Sequence, residues 1–252
     1  MLTSIGISAF SECTSLKQIV FPEGLTEVKH WTFENCSSLN KVEFSTTITT
    51  IMDGAFTNCD SLSALSIPGN VAGIANNAFR DCDNITSVII TDGLSSIGSF
   101  TFSDCDKLEN IELPNTLTWI GSSAFSNCKS LNSIVLPDNL NSLGYYAFSD
   151  CSNLTNVTLP KNLEVIEDGV FQNCIKLTSI TLPPACWKIE NYAFDGCSAL
   201  SSVSFPDGAN TFGAYAFADC TSLTGITIRK WSSIGEGAFS GCSSLRVVHL
   251  DE

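Results

Sequence analysis

Twelve cysteines, two histidines and a set of aspartates are the residues of this sequence with chemistry to offer. Ten of the cysteines, Cys13 to Cys220, recur every 23 residues, with Cys186 as an extra, and Cys242 follows Cys220 at 22. Thiols in such a series could form disulfides, ligate a metal or act as nucleophiles. Equivalent residues in stacked layers stand at the strand spacing of ~4.7–4.9 Å, wider than the ~3.8 Å that separates disulfide Cβ atoms. The series is also odd in number. A metal needs clustered ligands such as C-x-x-C with His, and no such cluster occurs. The eleven therefore read as a ladder of buried free thiols, packed inward as small hydrophobes. Cys186 lies outside the ladder at a register usually held by Leu. It also reads as core, yet it is the best candidate for a reactive thiol. His30 and His249 lie near opposite ends, so a catalytic triad or dyad sharing them is excluded for an elongated array. His30, three before Phe33, reads as a solvated outer-turn residue. No G-x-G-x-x-G, P-loop or H-E-x-x-H is present. Asp60, Asp83 and Asp106 share one register, and Asp81 and Asp104 another. Such turns could hold Ca²⁺ or cap local backbone N–H groups. Capping is favoured, and a Ca²⁺-dependent rise in melting temperature would decide for the ion.

What positions these residues is an internal repeat. Phe10, Phe33, Phe56 and onward through Phe217 are spaced by 23, and Phe239 follows at 22. Each is followed three later by Cys and six later by Leu, with Ile85 the exception. An aliphatic residue follows at nine, and Leu, Ile or Phe at eleven. In the unit Ile120–Pro137, Ala124, Phe125 and Cys128 fall on one side of one to two helical turns, with Gly121 and Ser122 as turn and N-cap. Ile134 and Leu136 alternate inward in a short strand, with Ser133 and Val135 outward, and Pro137 ends it. One unit cannot bury its apolar face, but a stack of eleven makes a continuous core.

The string A-F-x-x-C-x-x-L-x-x-I-x-L-P-x-x-L-x-x-I-G, carried by Ala124-Phe125, Cys128, Leu131, Ile134, Leu136-Pro137, Leu140 and Leu143-Gly144, closely resembles the BspA-like leucine-rich repeats of the Treponema pallidum type. Departures are local: Thr32, Thr101 and Val170 replace the Ala, while Cys186 and Ala209 replace the Leu after Pro. The resemblance implies an α/β repeat solenoid across 1–252. It would be a right-handed leucine-rich-repeat superhelix, a curved horseshoe arc of about eleven 23-residue repeats. A parallel concave β-sheet and short helical turns on the convex side would form its two faces. It also implies a cell-surface or secreted protein engaged in adhesion to host or matrix proteins.

The outward strand positions then define the concave face: Glu43, Ser66, Ile89, Glu112, Val135, Thr158, Thr181, Ser204, Thr227 and His249. It is a Ser/Thr-rich surface, acidic in its first half at Glu43, Glu109 and Glu112, and basic at its end with Arg229, Lys230, Arg246 and His249. Such faces are extended binding surfaces. Two before the Phe, Trp31, Tyr146, Tyr192 and Tyr215 face outward, either exposed for binding or packed half-buried between turns.

The net charge of −14 argues against nucleic acid or an anionic membrane as partner, and no apolar run approaches the ~20 residues of a membrane span. No signal peptide is visible in the first residues. Asn35, Asn84, Asn153 and Asn156 head N-x-S/T sequons, which matter only in a eukaryotic secretory pathway. Neither end carries a polar capping repeat, which suggests an array excised from a longer protein or ends covered by self-association. The reading is a non-enzymatic binding module, without cofactor, that contacts a protein ligand through its concave face. A structural spacer or stalk, with binding elsewhere, is the alternative.

Overall fold

The computed structural model describes residues 2–250 as a stack of parallel coils. Each coil contributes one strand of three or four residues and one of two. Among the described residues eleven strands are of the longer kind, from Gln18–Val20 to Val247–Leu250. Ten are of the shorter kind, from Glu27–Val28 to Ser233–Ile234. Every pairing is parallel and joins a strand to its equivalent one coil on: Ser133 faces Asn156 and Trp119 faces Ser142. The step falls to 22 at the end, where Thr211 meets Ser233 and Gly225 meets Val247. The missing residue near Trp231 is thus absorbed without breaking the ladder.

The strands alternate because one side meets the core and the other meets solvent. Ile134 is 3% exposed and its neighbour Val135 is 68% exposed. Inside, nine phenylalanines from Phe33 to Phe217 are fully buried, and rings of successive coils stack with centroids 5.0 to 5.8 Å apart. Phe21 and Phe44 meet Phe33 and Phe56 edge-on, the complementary quadrupole geometry.

The outer turns are not helical. No helix occurs among the described residues, and Gly121 and Ser122 therefore start no helix. The backbone hydrogen bonds show why. The N–H groups of Ser123, Phe125 and Asn127 donate along the stack, to Tyr145 O, Ala147 O and Ser149 O at 2.8–2.9 Å. Only the intervening Ala124, Ser126 and Cys128 donate three residues back within the coil. A helix directs every N–H along its own axis, whereas here every second one is given to the next coil. Two left-handed positions per coil enforce this. Two after the Phe stand Asn35, Asn58, Asp81, Asp104, Asn127, Asp150, Asn173 and Asp219, all with φ between 54° and 63°. Asn and Asp are the side chains that tolerate this region best. They also bond to one another up the stack, as Asn127 Nδ2 to Asp104 Oδ1 at 2.8 Å and Asn173 Nδ2 to Asp150 Oδ1 at 2.9 Å.

The second left-handed position, two before the Phe, holds the outward aromatics Trp31, Phe100, Tyr146, Tyr192 and Tyr215 at φ 52–58°. Bulky residues are rare there, and a contact with the following coil accompanies several of them. Trp31 lies over Gly54, Tyr146 over Gly169 and Tyr215 over Gly237. Tyr192 stacks on Tyr215 at 5.4 Å. Gly169 itself has φ +62°, and a Cβ there would stand 2.1 Å from Tyr146 Cε1. Gly169→Ala is expected to destabilise the fold by about 1–3 kcal/mol in urea titrations. Adding Tyr146→Ala should recover the part due to the clash and leave the backbone part.

Candidate functional site

All ten of the outward strand residues named above are exposed. The strand face is not one sheet, however. The longer strands pair in five groups, namely 18–20 with 41–43, 64–67 with 87–90 and 110–112, 133–135 with 156–158, 179–181 with 202–204, and 225–228 with 247–250. Ser66, Ile89 and Glu112 are neighbours in one group, Val135 and Thr158 in another, Thr181 and Ser204 in a third, Thr227 and His249 in a fourth. Between groups the strands abut without ladder pairing.

Three of these four seams are open clefts. One, of about 430 Å³, lies between Asn110–Glu112 and Ser133–Val135 and is lined by Leu113. The next, of about 370 Å³, lies between Asn156–Thr158 and Ser179–Thr181 and is lined by Leu159 and Lys161. The third, of about 600 Å³, lies between Ser202–Ser204 and Gly225–Ile228 and is lined by Phe205, Arg229, Arg246 and His249. Leu113, Leu159 and Phe205, after the last strand of their groups, are only partly buried, whereas the same register across the seam, Leu136 and Leu182, is buried. Each cleft thus has an apolar floor and Ser/Thr/Asn walls. Sequence periodicity gives no sign of these seams.

Charge is uneven along the face. Glu43 is neutralised by Lys41 at 2.5 Å, while Glu109 and Glu112 make no ion pair among the described residues. At the far end Arg229 pairs with Asp207 at 2.7 Å, and Arg246 is exposed.

The BspA type leucine rich repeat region is matched six times, over residues 1–92, 72–186 and 164–252. The chain belongs to the BspA-type leucine-rich-repeat family. It is similar to a Bacteroides ovatus leucine-rich repeat protein at 27% identity, with a TM-score of 0.71, over 94% of this chain and 63% of that one. It is similar to the Treponema pallidum leucine-rich repeat protein at 31% identity, with a TM-score of 0.64, over 69% of this chain and 82% of that one. A Eubacterium ventriosum leucine-rich repeat protein shares the fold at 20% identity and a TM-score of 0.56, over 90% of this chain and 82% of that one. The chain spans 63% of the length of the Bacteroides ovatus protein. No curated protein matches it in sequence.

In this BspA-type array the thiols do more than fill space. Each ladder Cys from Cys36 to Cys242 donates its S–H to a Phe carbonyl of the preceding coil, as Cys128 Sγ to Phe102 O at 3.2 Å and Cys197 Sγ to Phe171 O at 3.1 Å. Burial pushes the thiols of Cys82, Cys128 and Cys174 well above the ordinary range and raises those of Cys36 and Cys242 as well. Cys186 is not the reactive thiol. It is buried, burial raises it to about 11, and its Sγ lies 3.6 Å from Lys188 O. Cys13, in the first described coil, is the one exposed cysteine among the described residues. Thiolate supply and access both control reactivity. One thiol of the twelve is therefore expected to react rapidly with a disulfide reagent in the native protein, and none in Cys13→Ser. All twelve should react in denaturant.

His30 is half-buried, not freely solvated. Its Nδ1 lies 3.5 Å from an Asp53 carboxylate oxygen without a hydrogen bond, and its ring is tilted against Trp31. Asp60, Asp83 and Asp106 climb the outer turns, and no group of three His, Cys, Asp or Glu side chains converges as a metal cage among the described residues. Burial, and then the Asp83 charge, hold Asp60 above the ordinary carboxylate range. Elsewhere cations meet the acidic series: Arg80 Nε lies 3.3 and 3.6 Å from Asp81 and Asp104, and Lys129 Nζ lies 3.0 Å from Asp106. No helix of the described residues is long and apolar enough to cross a membrane.

Proposed function

We infer that the chain is a non-enzymatic protein-binding module that acts at a cell surface or outside the cell and adheres to another protein through the strand face. One observation carries this: a row of exposed Ser, Thr, Val and Ile side chains is opened by three apolar-floored clefts and set on an uninterrupted core. A rigid scaffold that presents side chains along a row is how solenoids bind extended partners. The ladders from Phe33 to Phe217 and from Cys36 to Cys242 are buried, while Trp31, Phe100, Tyr146 and Tyr192 on the outer turns touch the next coil or a neighbouring side chain and stay more than a third exposed. Family membership in the leucine-rich repeats supports the same reading.

The test uses Glu112→Lys combined with Thr158→Arg, both on exposed positions of this face. Capture of extracellular host proteins by the immobilised chain should fall at least ~10-fold, the effect of unmatched charge in a binding surface, with the melting temperature unchanged. Full retention of capture would make the strand face a spacer surface and place adhesion elsewhere.

A further inference from the structure

We propose that the occupant of the strand face is an extended polypeptide in the polyproline II conformation, with an apolar residue at every third position. Its basic end would lie at Glu109 and Glu112 and its acidic end at Arg246. This rests on the reading of the strand face as a protein-binding surface and specifies its ligand.

The spacing of the clefts carries the argument. Their floors, Leu113, Leu159 and Phe205, are 46 residues apart in sequence, that is, two coils. Successive coils are held across the seams by the outer-turn ladder bonds, such as Phe125 N to Ala147 O and Phe148 N to Val170 O, so two coil intervals at about the strand spacing amount to roughly 9.5 Å. A polyproline II chain rises ~3.1 Å per residue with three residues per turn, so residues i, i+3 and i+6 lie on one side at intervals of ~9.3 Å. A β-strand cannot match this. Its side chains return to the same face every second residue, at ~6.6–6.8 Å, and its third residue points away. A helix rises ~5.4 Å per turn, so two turns span ~10.8 Å and overrun the cleft interval by about 1 Å at each step. The walls suit such a ligand as well. Polyproline II has no internal hydrogen bonds and leaves its carbonyls free, and Asn110, Ser133, Asn156, Ser179 and Thr181 offer side-chain donors along the clefts.

Charge sets the polarity. Glu112 lines the first cleft and Glu109 immediately precedes its strand, both exposed and without an ion pair among the described residues. Arg246, exposed, lines the third. From Glu112 to Val247 the face runs six coil intervals, roughly 29 Å. A polyproline II segment of about nine residues covers that length.

The experiment measures fluorescence anisotropy of a labelled peptide, Lys-Lys followed by three Leu-Pro-Pro triplets and then Asp-Asp, together with its charge-reversed form. A control of equal composition carries its leucines at every second position. Three variants are compared. Gly225→Trp and Ser179→Trp fill clefts from outward positions. An added Cβ at Gly225 meets only Val247 at 3.6 Å and beyond, so a side chain can start there without a backbone clash. Ser87→Trp places the same bulk on a strand paired on both sides whose own residues line none of the clefts, one strand away from Asn110. Circular dichroism melts verify the fold, and Gly225→Gln and Ser179→Gln serve as milder substitutes.

The expected result is saturable binding of one of the two charge polarities, about ten-fold weaker for each cleft-filling variant. Ser87→Trp should leave it unchanged, and the two-residue spacing should bind more weakly. No binding of either polarity, equal binding of the control peptide, or equal affinity of all three variants would overturn the proposal. The two readings fail separately. If Glu112→Lys with Thr158→Arg loses protein capture while the triplet peptide is ignored, the strand face stands and the polyproline II occupant falls. If capture survives that double variant, the underlying reading falls.

Discussion

Phe125→Ala is expected to lower the unfolding free energy by about 3–5 kcal/mol, the range for deleting a buried aromatic ring. It should also split a single denaturant transition into two. Phe125 is fully buried, and its ring is stacked on both sides, 5.6 Å from Phe102 and 5.3 Å from Phe148. Removing it takes two stacking contacts and opens a void that neighbouring coils cannot fill. Their own phenylalanines are held at fixed intervals by the ladder bonds from Phe125 N to Ala147 O and from Phe102 N to Ala124 O. In a solenoid each unit contacts only its neighbours, so stability is a sum of unit and interface terms. A mid-array defect weakens two adjacent interfaces together and uncouples the halves. Urea titration followed by far-ultraviolet circular dichroism reads both effects. The comparison is Phe100→Ala, at a ring 40% exposed on the outer turn, which should cost under ~1 kcal/mol. Equal losses for the two variants would mean that the stacked core is not what couples the coils.

The interior was legible from spacing alone. A 23-residue period with Phe, Cys, Leu and two alternating aliphatics admits one way of burying all five, and parallel in-register stacking follows. The outer turn was not legible in the same way. Ala124, Phe125 and Cys128 fall on one side of a helix, but they do so equally in a coil that sends alternate N–H groups to its neighbour. The pattern reports which side chains are buried and leaves open where the backbone bonds go. A discriminating signal was present in Asn127, Asp150, Asn173, Gly196 and Asp219. A register of Asn, Asp and Gly marks a recurrent left-handed residue, which no helix carries in its interior. The pairing of Tyr146 with Gly169 and of Trp31 with Gly54, one coil apart, was likewise visible once that register is known. The clefts are different. Leu113 lines one and Leu136 does not, though both are Leu at the same register with Pro after them. Residue type cannot separate them, because the seams belong to the geometry of the stack and to no single side chain.

The choice of Cys in the ladder leads to a prediction that reverses the usual order of conservative substitutions. Cys128→Ser is expected to destabilise the array by about 2–3 kcal/mol, more than Cys128→Ala at about 1–2 kcal/mol. Serine is the closer isostere, but its oxygen stands nearer to Cβ than sulfur does. From the position of Cys128, whose Sγ reaches Phe102 O at 3.2 Å, a hydroxyl falls short of that carbonyl and is left buried without a partner. The alanine variant loses packing and a weak S–H bond but strands nothing, because Phe102 O still accepts the Cys105 N–H at 3.4 Å. The core shows what a hydroxyl needs here. Thr101 is fully buried at a register usually held by Ala, and its Oγ1 reaches Gly98 O at 2.8 Å. Thr32 does the same with Lys29 O at 2.8 Å. Hydroxyls enter this interior where a carbonyl lies within reach of a short C–O bond, at 2.8 Å for Thr101, and thiols enter where the longer C–S bond and the larger sulfur reach it, at 3.2 Å for Cys128. Chemical denaturation of the two Cys128 variants under reducing conditions measures the difference. A serine variant as stable as wild type would mean that the ladder needs only a small side chain and that the S–H donor contributes nothing.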